Sequence, residues 1–503
     1  MEKKIIIIGA GIAGLSAGCF ARMNGYNAEI YESGGLPGGL CTSWKKGGYT
    51  IDGCLHWLTG SSPSDSFYQI WKELGAIQGR RIYDHKEFYR FTGQDGRTLI
   101  LYSDADRLEK HLIELSPDDI KPIKLLCNLI RKFSKFNTSQ NKAYELFNFI
   151  DVINMMISMM PYMKLFRFCS EQSMADFAER FKDPLIYEVF PQILADKDMS
   201  LLALVATMAL LNKKGGGFPE GGSLEFAKAI EKRFLNLGGK IFYGKKVEKI
   251  IVKENKACGV FLAKGEEHQA DYIISAADLH TTTYNMLDGK YIEPQHEELF
   301  NKAKIFKSSV QVSIGVNMDF PDEPDCIAQI YKLDFPLLVG NQRIDWFVVR
   351  HYNFDHSLAP IGKSVVECTY MVDDFEFWER LYNTNRAGYK AEKERILSIT
   401  IEELNRKYPD LSSCIEVTDV LTPMTYVRYT GNYKGSYMTW VMTPDLIKNH
   451  RVIKKTLPGL ENFWLSGMWV VPPGGVPSGA KSSRDIIQII CLKDRKKFIT
   501  TVP

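Results

Sequence analysis

The sequence predicts an α/β protein in which a doubly wound parallel sheet with a β-meander binds a dinucleotide and an α+β domain is inserted into it. Two observations support this fold. A strand, a glycine loop, a helix and a second strand open the chain, and another glycine-rich loop precedes the last helix more than 450 residues later. Glycine loops that lead into helices form anion-binding sites, so we expect the two ends of the chain to meet in one domain.

The first loop has the spacing of a dinucleotide-binding fingerprint. The aliphatic run Lys3–Ile8 is typical of a buried parallel strand. Gly9 allows a tight turn, Gly11 lets a pyrophosphate approach the backbone, and Gly14 lets helix and strand pack closely. The next strand ends at Glu32, eighteen residues after Gly14, where an acid binds ribose hydroxyls and favours FAD or NAD over NADP. The loop residues are Gly9, Ala10, Gly11, Ile12, Ala13 and Gly14.

A second glycine loop indicates FAD rather than NAD. Six glycines fall between Gly34 and Gly48, directly after Glu32, where an NAD domain would continue into a crossover helix. A second backbone loop beside the first suits a longer cofactor that is stretched across the domain. The candidate cofactor contacts in this segment are Ser33, Gly38, Gly39 and Leu40.

The rest of the chain alternates between the cofactor domain and a second domain. After residue 217 the pattern predicts a helix that Ser223 caps and Gly238 ends, followed by short strands. The segment before this helix is mainly helical and apolar, and the segment after the strands contains three strand patterns and a long charged helix. We therefore expect a discontinuous FAD-binding domain at 1–60, 215–280 and 421–503, and an inserted α+β substrate domain at 61–214 and 281–420.

The motifs resemble those of a known flavoprotein family. "PGG" at Pro37–Gly39 and "GYTIDGCLHW" at Gly48–Trp57 follow the first loop, and "GFPEGGS" at Gly217–Ser223 and "TPMTYVRYTGNYKGS" at Thr422–Ser436 come later in the same order. In these motifs the chain is similar to the phytoene desaturase, carotenoid isomerase and retinol saturase family of amine-oxidase-like flavoproteins. The resemblance implies a Rossmann-like FAD-binding domain in an FAD-dependent oxidoreductase.

The resemblance also implies roles for residues beyond the first loop. Val247 would meet the adenine, Gly467 would lie near the pyrophosphate, and Gly475 and Val476 would approach the pyrimidine edge of the flavin. The glycines of this last loop let backbone rather than side chain reach the ring, and the positive end of the following helix stabilises charge on the reduced flavin.

His56 is the titratable residue that the resemblance places closest to the flavin. A histidine there can orient the substrate or relay a proton, or it can simply hydrogen-bond a backbone carbonyl. Leu40 stands where many members of the family carry an arginine. Backbone amides with the first helix dipole, or else Lys45 or Lys46, must then offset the charge of the pyrophosphate.

Further candidates for the substrate site precede the last loop. They are Tyr426, Arg428, Tyr429 and Trp440. No Ser-His-Asp, paired-carboxylate or metal-ligand pattern stands out in the sequence, and we predict no metal site. This pattern fits a protein whose cofactor performs the reaction.

The resemblance leaves the reaction open. The leading hypothesis is hydride transfer between flavin N5 and a C–C bond of a small apolar, polyene- or isoprenoid-like substrate, as desaturation, saturation or isomerisation. A second is oxidation of a C–N bond, for which an aromatic pair such as Tyr433 and Trp440 would face the flavin. A third is a non-catalytic, flavin-containing binder of hydrophobic molecules.

Composition excludes other classes of protein. The 63 basic and 60 acidic residues give a net charge of +3 without a basic block, so we expect no nucleic-acid partner. The ten cysteines are scattered, as in reduced, cytoplasmic proteins. "MEKK" followed by the uncharged run Ile5–Ala21 resembles a secretory signal, but the three glycines of the first loop are unfavourable in an apolar helix.

Residues 146–168 differ in composition from the rest of the chain. Five of the seventeen methionines fall between Met155 and Met163, and methionine suits a surface that adapts to apolar ligands. With Lys164 and Arg167 beside it, the segment can lie in a membrane interface or form a core helix pair, while Pro161 makes it too interrupted to span. We expect a cytoplasmic protein, with peripheral contact at the inner face of the membrane as one use of this segment.

Overall fold

The computed structural model describes residues 2–137, 141–449 and 453–503. Its strands are β1 (Lys4–Ile8), β2 (Asn27–Tyr31), β3 (Ser43–Lys46), β4 (Tyr49–Asp52), β5 (Leu58–Thr59), β6 (Ile82–Tyr83), β7 (Glu87–Thr92), β8 (Thr98–Tyr102), β9 (Gly216–Pro219), β10 (Lys240–Phe242), β11 (Val247–Lys253), β12 (Lys256–Leu262), β13 (Glu267–Gln269), β14 (Tyr272–Ser275), β15 (Ser308–Val316), β16 (Cys326–Val339), β17 (Gln342–His351), β18 (Ser364–Val372), β19 (Ile415–Leu421) and β20 (Phe463–Leu465).

The α-helices of these described residues follow the same chain order. They are α1 (Ile12–Met23), α2 (Tyr68–Glu73), α3 (Ala105–Leu115), α4 (Ile120–Ser134), α5 (Phe149–Met159), α6 (Met163–Ser170), α7 (Met174–Ala178), α8 (Pro184–Val189), α9 (Leu201–Asn212), α10 (Gly222–Asn236), α11 (Pro294–Lys302), α12 (Phe375–Thr384), α13 (Arg386–Lys407), α14 (Pro423–Thr430), α15 (Pro444–Asn449) and α16 (Val476–Lys493). A π-helical turn at Thr281–Met286 and several short 3-10 turns complete the description.

A five-stranded parallel sheet forms the centre of the first domain. Its strand order is β10-β2-β1-β14-β20, and all five strands come from the three segments assigned to the FAD-binding domain. Side chains alternate between the two faces of a strand. Ile5 and Ile7 accordingly pack in the core with α1, α10 and α16, whereas Ile6 and Ile8 pack in the core with the antiparallel meander β11-β12-β13.

Helix α10 begins differently from the prediction. Its N-cap is Gly221, in a left-handed conformation with φ of +88°, so the prediction that Ser223 caps the helix is wrong. Ser223 instead donates from its backbone N–H and its hydroxyl to the two carboxylate oxygens of Asp52, each at 2.6 Å. Burial raises the pKa of Asp52 to about 6. This carboxylate from β4 ties the second glycine segment to α10.

A mixed seven-stranded sheet forms the second domain, in the order β19-β15-β18-β17-β16-β7-β8. Strands β15, β17 and β18 and the long helix α13 lie where the sequence predicted them. Strands β7 and β8 come from the segment that was predicted to be mainly helical. One face of the sheet packs on α12, α13 and α14, and the other faces a layer that contains α3, α4 and α9.

Three of the predicted domain boundaries are displaced in the structure. Trp71 of α2 is fully buried in the core of the parallel sheet, and Met286 and Leu299 are buried in the meander core, so both segments belong to the first domain. Met424 of α14 packs instead in the core of the second domain. The first domain therefore extends past residue 60 at least to Trp71 and past residue 280 at least to Leu299, and the second domain extends past residue 420 at least to Met424.

Helices α5 and α6 and the 3-10 turn between them form one helical stretch, Phe149–Ser170. With a mean hydropathy of 1.2 it is long and apolar enough to cross a membrane. No residue of α5 is buried, so the interpretation as a core helix pair is wrong. Pro161 lies in the first turn of the 3-10 segment, where its missing N–H is tolerated. The expectation that Pro161 leaves the segment too interrupted to span is therefore also wrong.

Candidate active site

The first glycine loop turns tightly from β1 into α1. Gly9 has a φ of +95°, a left-handed conformation that glycine adopts without strain. A Cβ on Gly14 would lie 1.9 Å from the Gly9 carbonyl oxygen, so only glycine lets α1 approach the strand this closely. Gly11 is the N-cap of α1, and Ile12 and Ala13 are its first residues. Their N–H groups have no acceptor inside the helix and open onto the loop.

The second glycine loop lies directly on the first. The Gly38 N–H donates to the Ala10 carbonyl at 2.8 Å, and Gly11 and Gly38 form a parallel β-bridge. A Cβ on Gly39 would lie 3.3 Å from the Gly11 Cα. The two loops lie next to each other, as predicted, because the glycines leave room for this contact.

The C-terminal loop reaches the same place. Gly467 follows β20 with a φ of +118°, and a Cβ there would lie 3.9 Å from the Ala13 Cβ. Gly475 is the N-cap of α16, which begins at Val476. A Cβ on Gly479, in the first turn of α16, would lie 3.2 Å from the Ala13 backbone nitrogen, so α1 and α16 pack together near their N-termini. Further along α16, the Ser483 hydroxyl donates to the Ala13 carbonyl at 2.6 Å. Two helix N-termini with positive potential therefore face one region.

Glu32 joins the loops at the end of β2. Its carboxylate accepts the Ala10 N–H at 2.7 Å and the Gly34 N–H at 2.6 Å, and the exposed Ser33 hydroxyl lies 3.2 Å from it. The Lys245 N–H donates to the Glu32 carbonyl at 2.8 Å, which brings the start of β11, at the buried Val247, beside the acid. That Glu32 binds the ribose and Val247 meets the adenine stays a prediction.

Leu40 and the two nearby lysines are of interest in the sequence because many members of the family carry an arginine at position 40. Leu40 lines the cavity described below. Lys46 donates to the Thr418 carbonyl at 2.8 Å and is held at β19, and Lys45 is exposed on the same hairpin. That the two helix N-termini offset the charge of the pyrophosphate stays a prediction, as does the alternative role of Lys45.

A cavity of about 980 Å³ is lined by the seven-stranded sheet and by residues next to two of the glycine loops. These are Leu40, which follows Gly39, and Pro472 and Pro473, which precede Gly475; Gly53 and Cys54, after β4, line it too. Most of the remaining wall is aromatic or aliphatic, and includes Trp57, Phe91, Phe133, Leu202, Phe306 and Val348. The cavity therefore offers an elongated apolar ligand a place against the glycine loops.

A buried polar cluster lies in this wall, which also includes the more exposed charged residues Glu188, Lys332, Arg343 and Asp345. Arg350 Nη1 donates to Glu367 Oε1 at 3.0 Å, and His56 Nε2 lies 3.5 Å from the same oxygen. Burial would raise the pKa of Glu367, but His56 and Arg350 outweigh it and lower that pKa to about 2. Burial and the Arg350 charge lower the pKa of His56, so its imidazole is neutral at pH 7. His56 faces a carboxylate rather than a backbone carbonyl.

The other residues that were expected at the substrate site divide into two groups. Tyr426 is buried, lines the cavity and lies 3.0 Å from the Ser309 hydroxyl. Arg428 and Tyr429 of α14 are exposed and do not line the cavity, so their prediction is wrong. The helical period of 3.6 turns Arg428, two residues after Tyr426, to the opposite face.

The aromatic pair expected of an amine oxidase does not form part of the cavity. Tyr433 stacks on His280 with ring centroids 4.4 Å apart. Trp440 is buried with its ring centroid 5.0 Å from that of Trp469. Both pack in the core beneath the meander and neither lines the cavity. That this pair faces the flavin, as the C–N hypothesis requires, stays a prediction.

Residues 12–487 match the flavin containing amine oxidoreductase family. The chain belongs to this family. It is an FAD-dependent oxidoreductase, and the fold class and the family resemblance inferred from its sequence are confirmed.

Similar proteins include enzymes named for carotenoids. The chain is 26% identical to prolycopene isomerase 2, chloroplastic, of an Oncidium hybrid cultivar over 453 residues, which are 87% of this chain and 75% of that protein. It is 25% identical to a lycopene-forming phytoene desaturase of Pseudescherichia vulneris over 72% of this chain and 74% of that protein. Among solved structures, cyclohexylamine oxidase from Brevibacterium oxydans shares the fold, with a TM-score of 0.62, 12% identity, and coverage of 99% and 100%.

The loop geometry of this chain fits FAD. A Cβ on Gly475 would meet no nearer protein atom than Pro477 Cδ at 3.7 Å, and one on Gly11 none nearer than the Gly38 carbonyl oxygen at 3.8 Å. Backbone at these positions is thus open to a ligand, beside two helix N-termini that suit a pyrophosphate. When bound, FAD supplies two-electron oxidation and reduction chemistry. The loop residues would hold it, and the cavity would exclude water from the substrate.

Sequence reasoning missed the polar partners of His56. Arg350 is a charge within the strand pattern "DWFVVRHY", which begins with Asp345, and Glu367 is the one charge of "SVVECTYMV"; both patterns are otherwise largely apolar. A charge in the middle of a buried strand requires a partner. Two such charges in neighbouring strand patterns could have been predicted to pair with each other.

Proposed function

We propose that the protein changes a C–C bond of an apolar polyene- or isoprenoid-like substrate by desaturation, saturation or isomerisation. The observation that carries this proposal is the cavity of about 980 Å³, whose largely apolar wall includes Leu40, Pro472 and Pro473 next to the glycine loops. Its aromatic and aliphatic side chains bind a long hydrocarbon by removing its surface from water. The relatives named prolycopene isomerase and phytoene desaturase support the same substrate class.

The residues of the cavity orient the substrate and exclude water from it. Trp57 packs edge-on against the buried Phe88, with ring centroids 5.4 Å apart, which fixes an aromatic wall beside His56. The neutral His56 imidazole carries one N–H and one acceptor nitrogen, so it can hold a proton or a polar group in the cavity. Such a site orients a flat, conjugated chain against the glycine loops.

A screen of substrates under anaerobic conditions tests the proposal. Purified FAD-loaded protein, oxidised in one series and chemically reduced in the other, is mixed with phytoene, lycopene isomers, retinol and the amine cyclohexylamine. We expect polyenes to change the flavin spectrum or to be isomerised, and the amine to leave both unchanged. Reduction of the flavin by the amine alone would contradict the proposal and support C–N oxidation.

We further propose that residues 146–168 dock the protein on the inner face of a membrane, from which an apolar substrate enters. Phe149 and Ile150 of α5 are 79% and 66% exposed. Lys164 and Arg167 on α6 are also exposed and suit anionic lipid headgroups. Leu165 of α6 is buried in the second-domain core, which holds the helical stretch along the surface.

An aromatic chain connects this helical stretch with the cavity. Phe133 lines the cavity and contacts Phe166 of α6, with ring centroids 5.2 Å apart. Phe136 contacts both Phe166 and Tyr162, each with centroids 5.0 Å apart. The surface that we assign to lipid is thus continuous with the apolar wall of the cavity.

Sedimentation with lipid vesicles tests this docking surface. We expect the FAD-loaded protein to bind vesicles of phosphatidylcholine and phosphatidylglycerol better than vesicles of phosphatidylcholine alone. The double variant Ile150→Asp and Ile157→Asp should reduce binding at least tenfold, because two charges enter the apolar surface. The control Leu235→Asp changes an exposed leucine on α10 and should bind normally. Equal binding by all three proteins would refute the proposal.

A further inference from the structure

The buried Glu367 carboxylate is held in one position as an acceptor of hydrogen bonds. Its Oε1 accepts from Arg350 Nη1 and from the Thr369 hydroxyl, at 3.0 and 2.9 Å. Its Oε2 accepts from the Tyr352 hydroxyl and from Gln311 Nε2, at 3.0 and 3.2 Å. Because these donors favour the ionised form, any further group that faces the carboxylate must also bring a proton.

His56 faces this carboxylate with one ring nitrogen and leaves the other open. Its Nε2 lies 3.5 Å from Glu367 Oε1. An unprotonated Nε2 would turn its lone pair towards a negatively charged oxygen, so the proton of the neutral ring lies on Nε2. Its Nδ1 makes no hydrogen bond within the described part of the chain and is not one of the buried atoms that lack a partner. Since the His56 side chain is 26% exposed and lines the cavity, Nδ1 is an acceptor that a ligand can reach.

The backbone that carries His56 is fixed beside the second glycine loop. The Gly53 N–H donates to the Thr42 carbonyl at 3.0 Å, three residues after the last glycine of that loop. The Leu55 N–H donates to the Ser223 hydroxyl at 2.9 Å. His56, the next residue, is therefore held where the cavity wall approaches the loop.

We infer that His56 takes up, at Nδ1, the proton that a substrate C–H group releases during desaturation, and that Glu367 is the positioning residue that keeps Nδ1 unprotonated. This inference rests on the proposed function and assigns its proton step. One C–H bond breaks and its hydrogen leaves with both electrons for the flavin. The C–H bond on the neighbouring carbon leaves its electron pair in the new C=C bond, and its proton goes to Nδ1. Saturation is the reverse, with the proton returned from Nδ1.

The charges around His56 suit a base that is neutral before this step and cationic after it. Burial and Arg350 on β17 lower the pKa of His56, whereas Glu367 on β18 raises it. The carboxylate therefore stabilises the imidazolium that forms, as in other histidine–carboxylate pairs. The other titratable groups of this part of the wall are the Cys54 thiol and three tyrosines, whose pKa values are raised by burial and which are neutral at pH 7: Tyr89, Tyr426 and Tyr437.

Nitrogen-15 NMR of the histidine rings tests the positioning role without turnover. FAD-loaded protein that contains labelled histidine is measured at pH 8, and the signals that disappear in His56→Gln identify His56 among the nine histidines. We expect wild-type His56 to be protonated at Nε2 and unprotonated at Nδ1. In Glu367→Gln the ring should become a mixture of both tautomers, because an amide can donate as well as accept. A proton on Nδ1 in the wild type would overturn the inference.

A matched control changes another histidine–carboxylate pair. His85 Nδ1 lies 3.1 Å from Asp325 Oδ1, and neither residue lines the cavity. Asp325→Asn should therefore leave the His56 signals as they are in the wild type. A change in the His56 tautomer in this variant would show that the tautomer does not depend on Glu367 in particular, and would contradict the positioning role.

Stopped-flow reduction of the flavin by phytoene measures the proton step. His56→Gln should lower the rate at least about 100-fold, the contribution of a positioned general base, and Glu367→Gln about tenfold or more at pH 8. The wild-type rate should fall as the pH drops through the pKa of His56, because an imidazolium cannot accept a proton. Since Glu367 raises that pKa, the fall should move to lower pH in Glu367→Gln, and Asp325→Asn should behave as the wild type. If Glu367→Gln does not fold, the wild-type tautomer and the His56→Gln rate decide.

Failure of this inference differs from failure of the proposed function. If phytoene reduces the flavin equally fast in the wild type and in His56→Gln, the proton role of His56 is wrong and the polyene function stands. The same holds if polyenes are isomerised without any oxidation or reduction of the flavin. If no polyene reacts while amines reduce the flavin, both are wrong. Flavin content and urea unfolding of each variant confirm that the comparisons are made on folded, FAD-loaded protein.

Discussion

Replacement of Gly475 by alanine adds one methyl group where we place the flavin ring. The residue has φ of +86° and ψ of 175°, a region that is essentially restricted to glycine, so the strain costs about 1–3 kcal/mol. The new Cβ meets only Pro477 Cδ, at 3.7 Å, which is an ordinary contact. Without FAD, the free energy of unfolding should therefore fall by about 1–3 kcal/mol, and no further protein clash contributes.

The effect on FAD distinguishes a cofactor contact from a strained turn. If Gly475 approaches the flavin, the FAD dissociation constant of Gly475→Ala should rise at least tenfold, measured by fluorescence titration of apoprotein. The control Gly265→Ala, at φ of +84° in an exposed turn with no atom within 4 Å, also places a side chain at positive φ and should show normal FAD affinity. Equal FAD affinity and equal flavin potential in both variants would refute the placement of this loop at the ring.

The structure supports three further predictions. Glu32→Ala removes the acceptor of the Ala10 and Gly34 N–H groups. It should weaken FAD binding by about 1.5–3 kcal/mol for each charge-assisted bond to the ribose that is lost. Full flavin occupancy after dialysis would show that another residue binds the ribose. Gly39→Ala should release FAD because its Cβ would press on the Gly11 Cα at 3.3 Å, and unchanged flavin content would contradict this contact. The fall in the pKa of Glu367 from 4.5 to about 2 corresponds to about 3 kcal/mol of stability. That stability is present above pH 4.5 and is lost as the pH falls towards 2. The difference in free energy of unfolding between the wild type and Glu367→Gln, measured in urea, should therefore shrink from pH 6 to pH 3. A constant difference would contradict the lowered pKa of Glu367.

Local patterns allowed the nucleotide-binding half of the fold to be predicted. The strand, loop and helix at the start of the chain interact over a few residues, and the requirement for glycine at Gly9 and Gly14 follows from backbone geometry alone. The approach of the second and third glycine loops followed from the resemblance and from the need for several loops around one long cofactor. Their contacts at Gly38 and Ser483 agree with that placement.

Features that depend on long-range pairing could not be predicted in this way. Ser223 follows a common capping pattern, but Asp52, 171 residues away in sequence, binds it instead. Arg350 and Glu367 meet only because β17 and β18 pair in one particular register, which sequence periodicity does not fix. Helix α5 has the apolar composition of a core helix. Its side chains are nevertheless not buried, and this depends on how the rest of the chain packs, which composition does not show.

Product analysis after a single anaerobic turnover tests the central claim most directly. FAD-loaded protein is mixed with an equimolar polyene, and the flavin spectrum and the mass of the recovered polyene are measured together. We predict either a change of two hydrogen atoms matched by one flavin oxidised or reduced, or an isomer of unchanged mass that forms only with reduced flavin. Recovery of every polyene unchanged, together with an amine that reduces the flavin and yields its imine or aldehyde, would contradict the account.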